Sequence, residues 1–186
     1  MNQHQLMLVL IAVVAIAVIA IVAFLFEQKR RSQKLRERFG PEYDRVVKQE
    51  GTIRRGEEVL QFRAAKREKL QIHPLSPSAR TQFAERWRTT QAQFVDDPKS
   101  AVANADSLVN EVMQARGYPM GEFEQQANLI SVDHPVVVNN YRSAHDIAER
   151  HIRGQASTED LRQAMVYYRS LFDELLQEPI PQRKGA

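Results

Sequence analysis

The chain has no cysteine among its 186 residues. This absence excludes a disulfide framework, a thiol nucleophile, a zinc or iron–sulfur centre with cysteine ligands, and a lipid anchor on cysteine. Walker, dinucleotide-binding, nucleophile-elbow and zincin motifs are absent as well. These absences favour a non-enzymatic role without closing the enzyme alternative.

Sustained alternation of apolar and polar residues is also lacking, and no Asn-Gly pair marks a β-hairpin. In most of the chain apolar residues recur at spacings of three and four, which is typical of amphipathic helices. The sequence therefore predicts an all-α fold.

The excess of basic charge is confined to one short segment. Of 26 basic and 23 acidic residues, residues 27–38 hold six basic and two acidic ones, whereas residues 39–186 hold 20 and 21. No aromatic residues interleave with these basic residues, so we predict contact with anionic lipid headgroups and no nucleic-acid partner. The predicted headgroup contacts are Lys29, Arg30, Arg31, Lys34, Arg36 and Arg38.

Residues 6–26 form a run of twenty-one apolar residues. As a helix this run is about 32 Å long, which matches a hydrocarbon core of about 30 Å. The preceding tail, residues 1–5, has no basic residue, and the run does not end in a small-residue cleavage site, so a signal peptide is disfavoured. We predict a single transmembrane helix. The positive-inside rule places the N-terminus outside and the C-terminal domain in the cytoplasm, with the opposite orientation as the alternative.

Four further segments follow the apolar run. Residues 27–39 predict a basic juxtamembrane helix, and residues 41–72 predict a charged, solvated stalk helix with a sparse apolar stripe and two glycines near which it can break. Residues 76–177 predict a small bundle of four or five helices. Residues 178–186, with two prolines and no core residues, predict a loose tail.

Helix starts inside the bundle are marked by capping residues followed by proline. Ser76 and Asp97 precede such prolines, His134-Pro135 predicts a third start, and residues 157–160 form a capping-box variant. A short helix is predicted around Glu122–Leu129, and the helix that His134-Pro135 begins is predicted to face inward with Val137, Tyr141, Ala144, Ala148 and Ile152. The final helix carries a coiled-coil-like seam of Leu161, Met165, Tyr168, Phe172 and Leu175.

Polar and aromatic residues of the bundle provide only weak site candidates. His145 and Glu149 have a spacing that can hold a cation, but no Glu-x-x-His pair supplies facing ligands, so we predict no metal and no cofactor. Adjacent Asp133 and His134 could be a catalytic pair, yet capping of the following helix is favoured. A pocket, if present, is expected among Trp87, Tyr141, Arg142 and His145.

Several strings resemble a family of uncharacterised bacterial proteins with one N-terminal membrane helix. They are residues 94–98 (FVDDP), 131–135 (SVDHP), 141–142 (YR) and 158–165 (TEDLRQAM). The resemblance implies a protein of the bacterial inner membrane and carries no known activity.

Together these features predict a membrane-tethered helical interaction or scaffold module. Its expected partners are the lipid bilayer and a protein, which includes a second copy of the chain. The alternative is a ligand-binding sensor or a hydrolytic enzyme with a pocket in the bundle.

Overall fold

The computed structural model describes residues 3–177, except for the side chains of residues 3–6, 8–10 and 12. Within this range the chain forms eight helices and no strand, which confirms the all-α prediction. The helices are α1 (Gln3–Phe39), α2 (Pro41–Glu50), α3 (Ile53–Glu68), α4 (Pro77–Gln93), α5 (Pro98–Ala115), α6 (Phe123–Asp133), α7 (Val138–Ile152) and α8 (Thr158–Gln177). The predicted loose tail, residues 178–186, and the first two residues lie outside the described range.

The chain divides into two compact units, Met1–Arg38 and Phe39–Ala186. In the first, the predicted membrane and juxtamembrane segments form one continuous helix, α1. Its described large apolar side chains are exposed, from Met7 to Phe26. Judged on the described residues alone, no helix combines the length and the apolar character needed to cross a membrane. The transmembrane helix therefore stays a prediction.

The predicted stalk helix, residues 41–72, differs from the structure. Two helices replace it, because Gly51 ends α2 in the left-handed conformation with φ of 76° and the Thr52 side chain caps α3. Neither is a solvated stalk. Both lie in the second compact unit, bury residues such as Val46 and Leu60, and α3 packs against α6. These helices are buried although they carry few apolar residues, because some of their charged residues are buried in ion pairs.

The second glycine of this region is a packing contact and not a break. Gly56 lies inside α3, and a Cβ atom there would come within 2.8 Å of the Cα atom of Val47 on α2. The missing side chain lets the two helices approach closely. Residues 41–68 are therefore a tightly packed helical pair, which we call the α2–α3 hairpin.

Helices α4 to α8 form the predicted bundle, with five helices in the predicted range. The side chains of Ser76 and Asp97 cap α4 and α5, and Ser157 and Asp160 bond reciprocally at the start of α8, so these starts are confirmed. The five seam residues of α8 are all buried in the core. Each of the five helices contributes at least one residue to this core, which holds the site described below in place.

The predicted start of the next-to-last helix is wrong. α6 continues to Asp133, a turn follows, and α7 begins at Val138. Asp133 does not cap α7, because its carboxylate accepts bonds from Arg67 and Tyr118. Ile152, predicted to face inward, is 80% exposed at the end of α7.

Candidate functional site

A polar cluster between α5, α7 and α8 is the candidate site. Asp106 and Asn110 are one turn apart on α5, and Asn110 Nδ2 lies 3.3 Å from Asp106 Oδ2. The Tyr141 hydroxyl on α7 donates to Asn110 Oδ1 over 3.5 Å. Tyr168 of α8 is fully buried beside them, and its ring meets the Tyr141 ring edge-on at 6.4 Å. Three helices thus place two phenols beside one carboxylate.

Two buried atoms of this cluster have no hydrogen bond of good geometry. They are Asp106 Oδ1 and the Tyr168 hydroxyl. The Tyr168 hydroxyl is nevertheless near enough to Asp106 to stabilise its charged form. Buried polar atoms without a well-formed hydrogen bond are uncommon in folded proteins, which makes this cluster the candidate site.

Burial dominates the electrostatics of the cluster. It raises the pKa of Asp106, against the smaller opposing effects of the Tyr168 hydroxyl and the His145 charge. Burial also raises the pKa of Tyr141 and of Tyr168, and the Asp106 charge adds to both shifts. The two phenols therefore stay protonated and serve as hydrogen-bond donors beside a carboxyl group that resists ionisation.

His145 borders this cluster through an aromatic stack. Its ring lies parallel to the Phe123 ring, with centroids 3.6 Å apart, and the Phe123 ring also contacts Tyr141 at 4.8 Å. Two of the four predicted pocket residues, Tyr141 and His145, are therefore brought together.

Arg142 belongs to a different cluster. Its guanidinium binds the fully buried carboxylate of Glu42 over 2.9 and 3.1 Å, and it also donates to Asn128. Arg45 and Arg63 bind the same carboxylate. Burial by itself raises the pKa of Glu42, but the bonds and charges of Arg45 and Arg142 outweigh it and hold the pKa below its ordinary value. Arg142 is thus committed to an ion-pair network.

Trp87, the fourth predicted pocket residue, is a core residue. Its ring stacks on Phe172 with centroids 4.5 Å apart, and the residue is only 4% exposed. The four predicted residues therefore occupy three different places in the fold.

Asp133 and His134 do not form a catalytic pair. The Asp133 carboxylate bonds to Arg67 and to the Tyr118 hydroxyl, whereas His134 Nδ1 lies 3.5 Å from Glu174. Burial, reinforced by the Arg116 charge, lowers the pKa of His134. The histidine is 2% exposed, so a substrate has no direct access to it.

Two contacts of the basic segment of α1 are made within the helix itself. The Arg30 guanidinium lies 4.6 Å from the centre of the Phe26 ring, and Arg31 bonds to Glu27 over 3.4 Å. Both contacts lie within one helix, so they do not identify an external ligand.

Metal binding has no support in the described part of the chain. Over residues 3–177, no three histidine, aspartate or glutamate side chains are grouped so that they could hold an ion. His145, one of the two residues whose spacing could hold a cation, is stacked on Phe123.

Sequence reasoning named Tyr141 and Arg142, one in each cluster, but did not predict the polar partners that they meet. Asp106, Asn110 and Tyr168 lie on helices whose apolar faces were recognised, but a polar residue at the edge of such a face gives no signal of its own. Glu42 and Arg63 lie on the side of their helices that also carries buried apolar residues. This position is the one sequence feature that could have indicated their burial.

Comparison with protein-family models, with curated proteins and with solved structures gives no significant match for this chain. The family resemblance of residues 94–98 and 131–135 therefore stays a prediction.

Proposed function

We propose that this protein is a membrane-tethered helical interaction module, with residues 6–26 as its anchor. The observation that carries the proposal is the exposure of large apolar side chains around α1, among them Ile16, Ile19 and Phe24 at 66 to 69%. These residues point in different directions around a helix, so the surface is apolar on all sides. A helix of this kind is unfavourable in water and is typical of a membrane span.

Insertion energetics support the anchor. The run contains fifteen Leu, Ile, Val and Phe residues. At about 0.3–0.6 kcal/mol each they favour insertion by roughly 5–9 kcal/mol. The six basic residues that follow, from Lys29 to Arg38, would lie at the headgroups, where each contributes about 1 kcal/mol next to anionic lipid. We place the anchor in a bacterial inner membrane with the C-terminal domain in the cytoplasm, and the opposite orientation is the alternative.

Membrane attachment is tested with a matched pair of double variants of the full chain. Ile16→Lys/Ile19→Lys places two charges in the run at a cost of about 5–7 kcal/mol. Ile53→Lys/Ile152→Lys changes two isoleucines that are comparably exposed, at 60% and 80%, but lie outside the run. After an alkaline wash of membranes, the wild type and the second variant should sediment and the first should not. Equal sedimentation of all three would exclude this anchor.

Orientation is tested by reporter fusions after Ala186. A reporter that folds only in the cytoplasm should be active, and one that works only outside should be inactive. The reverse pattern would support the alternative orientation.

A surface for a protein partner is best placed between α4 and α8. A shallow, mainly apolar cavity of about 170 Å³ there is lined by Gln91, Phe94, Arg162, Met165, Val166 and Arg169. Val95, adjacent in sequence to Phe94, is 83% exposed. Exposed apolar residues grouped in this way favour protein contact over a catalytic role.

Partner contact is tested by photocrosslinking in membranes. A photoreactive amino acid at position 166 should form adducts that are absent when it is placed at position 152, at the exposed end of α7. A second copy of the chain would give a doubled mass, and another protein a different one. Equal yields at both positions would argue against the α4–α8 surface.

A ligand-binding sensor is the second candidate, and the two atoms without a hydrogen bond of good geometry, Asp106 Oδ1 and the Tyr168 hydroxyl, favour it. Tyr168 is fully buried, so a small molecule would reach these atoms only through a local separation of α5 and α8. Binding at this place should raise the unfolding temperature of the wild type and not of Tyr168→Phe. If no compound in a library of small polar metabolites raises the unfolding temperature of either protein, the sensor candidate is excluded and the interaction module remains.

A further inference from the structure

Buried ion pairs join the α2–α3 hairpin to the bundle, and the hairpin lies outside the large apolar core of the bundle. Among the described residues, the large apolar core of the bundle includes none from residues 41–68. Apolar residues of the hairpin are buried outside that core, for example Val46 and Leu60. The hairpin is therefore a layer outside the main apolar core.

Two ion pairs of opposite polarity connect this layer to α6 and α7. The hairpin presents the carboxylate of Glu42 to Arg142 of α7, and the guanidinium of Arg67 to Asp133 at the end of α6. All four side chains are at most 16% exposed. Arg142 binds both oxygens of Glu42, and Arg67 Nε lies 2.8 and 2.6 Å from the two oxygens of Asp133.

The hairpin is held together independently of these pairs. Tyr43 of α2 donates to Glu57 of α3 over 2.7 Å, and Arg63 of α3 binds Glu42 of α2 over 2.8 Å. The close approach at Gly56 adds backbone contact. Separation from the bundle would thus leave the hairpin intact.

Buried ion pairs are suited to a contact that opens. Their formation costs desolvation that nearly offsets the attraction, so the net gain is small compared with an apolar interface of the same size. Each separated charge is also rehydrated in the open state, whereas separated apolar surfaces are not. The part of the structure that opens first is expected to be one that lies outside the main apolar core, as the hairpin does.

We propose that the α2–α3 hairpin is a releasable cover of the α6–α7 face, held by the reciprocal pairs Glu42–Arg142 and Arg67–Asp133. Release uncovers a surface that carries Arg142, Asn128 and Asp133. The occupant of that surface is the hairpin itself. Its Glu42 carboxylate and Arg67 guanidinium complement the charges of Arg142 and Asp133 on the surface. This conformational step goes beyond tethering, since it regulates what the bundle exposes.

The test is hydrogen exchange of the full chain in detergent micelles, followed by mass spectrometry. Arg67→Gln/Arg142→Gln removes both connections but leaves Glu42 bound by Arg45 and Arg63, and Asp133 bonded to Tyr118. Exchange in residues 41–68 should accelerate about tenfold or more, while exchange in α5 and α8 should stay within about threefold of the wild type.

Arg86→Gln is the matched control, because Arg86 pairs with Glu111 between α4 and α5 of the bundle. It should change neither region. Faster exchange of α5 and α8 in step with the hairpin would overturn the proposal, because the unit would then open as a whole. Unchanged exchange in residues 41–68 would overturn it too.

The wild type provides a test that does not depend on variants. In low concentrations of urea, residues 41–68 should exchange through a partial opening. The free energy of this opening should depend less on the urea concentration than that of the opening that exposes α8. One common dependence for both regions would contradict a separate release of the hairpin.

Discussion

Replacing Asp106 by asparagine should stabilise the protein at neutral pH. The carboxylate lies between α5 and α8, with one oxygen buried and lacking a hydrogen bond of good geometry. An asparagine has nearly the same shape, keeps an oxygen for the Asn110 amide and brings no charge. Its amide can also donate to the Tyr168 hydroxyl.

The size of the effect follows from the cost of burying the charge. Leaving a polar group buried without a partner costs about 1–3 kcal/mol in protein mutational data, and an ionised group costs more. Nearby hydrogen-bond donors and the His145 charge recover part of this cost. We expect Asp106→Asn to raise the free energy of unfolding by about 1–2 kcal/mol at pH 7.

The pH dependence identifies the cause. Burial raises the pKa of Asp106 above its ordinary value of 3.8, so the unfolded chain loses this proton first as the pH rises. The favourable contribution of protonated Asp106 is therefore full below pH 3.8 and is lost as the pH rises through the folded-state pKa. The advantage of Asp106→Asn should be small at pH 3.5 and reach its full size at neutral pH.

Trp87, the one tryptophan of the chain, is buried against Phe172 and reports the unfolding by its fluorescence. Urea titrations of the full chain in micelles at several pH values give the free energies. Asp146→Asn is the control, since Asp146 is 67% exposed in its pair with Arg150, and it should change stability by less than about 0.5 kcal/mol. A loss of stability in Asp106→Asn that is equal at all pH values would refute the reasoning.

Three further outcomes follow from the packing and are measured by the same titrations. Gly56→Ala should destabilise the protein by at least about 1 kcal/mol, because the new Cβ atom meets the Val47 backbone. This cost exceeds the gain from the better helix propensity of alanine. Unchanged stability would mean that α2 and α3 can separate slightly. Trp87→Ala should cost about 3–5 kcal/mol, read by circular dichroism, and a smaller loss would mean that Phe172 repacks. Because burial lowers the pKa of His134, stability should fall as the pH drops below about 6.5, and His134→Gln should flatten that fall; identical slopes would exclude this histidine as the cause.

The helices of the bundle are the part of the fold that the sequence predicted well. Local signals decide them: the side chains of Ser76 and Asp97 act within three residues, and the seam of α8 is a repeated apolar spacing. Such signals need no knowledge of the rest of the chain. The error at His134-Pro135 shows their limit, because Asp133 finds its partners, Arg67 and Tyr118, on distant parts of the chain.

The hairpin and the polar cluster were not predictable for a related reason. Residues 41–72 contain too few apolar residues to predict burial, and their charges predict a solvated surface. Glu42 is fully buried because Arg142, a hundred residues away, provides the opposite charge. A charge pattern along one helix cannot indicate a pairing of this kind. Of the pocket candidates, Tyr141 and His145 lie against the same Phe123 ring, whereas Arg142 is bound to Glu42.

Apolar residues are usually buried and charged residues exposed, but this protein departs from that pattern at two places. Both departures bear on the proposed function. Large apolar side chains are exposed along α1, where a water-facing helix would be polar, and charged side chains such as Glu42 are buried between the hairpin and the bundle. The first arrangement is favourable only if something apolar surrounds the helix, which a bilayer would provide under the proposed membrane attachment. The second is favourable only while both partners of each ion pair stay in place. The proposed membrane attachment and the proposed hairpin release therefore depend on different residues, and variants of one should leave the other unchanged.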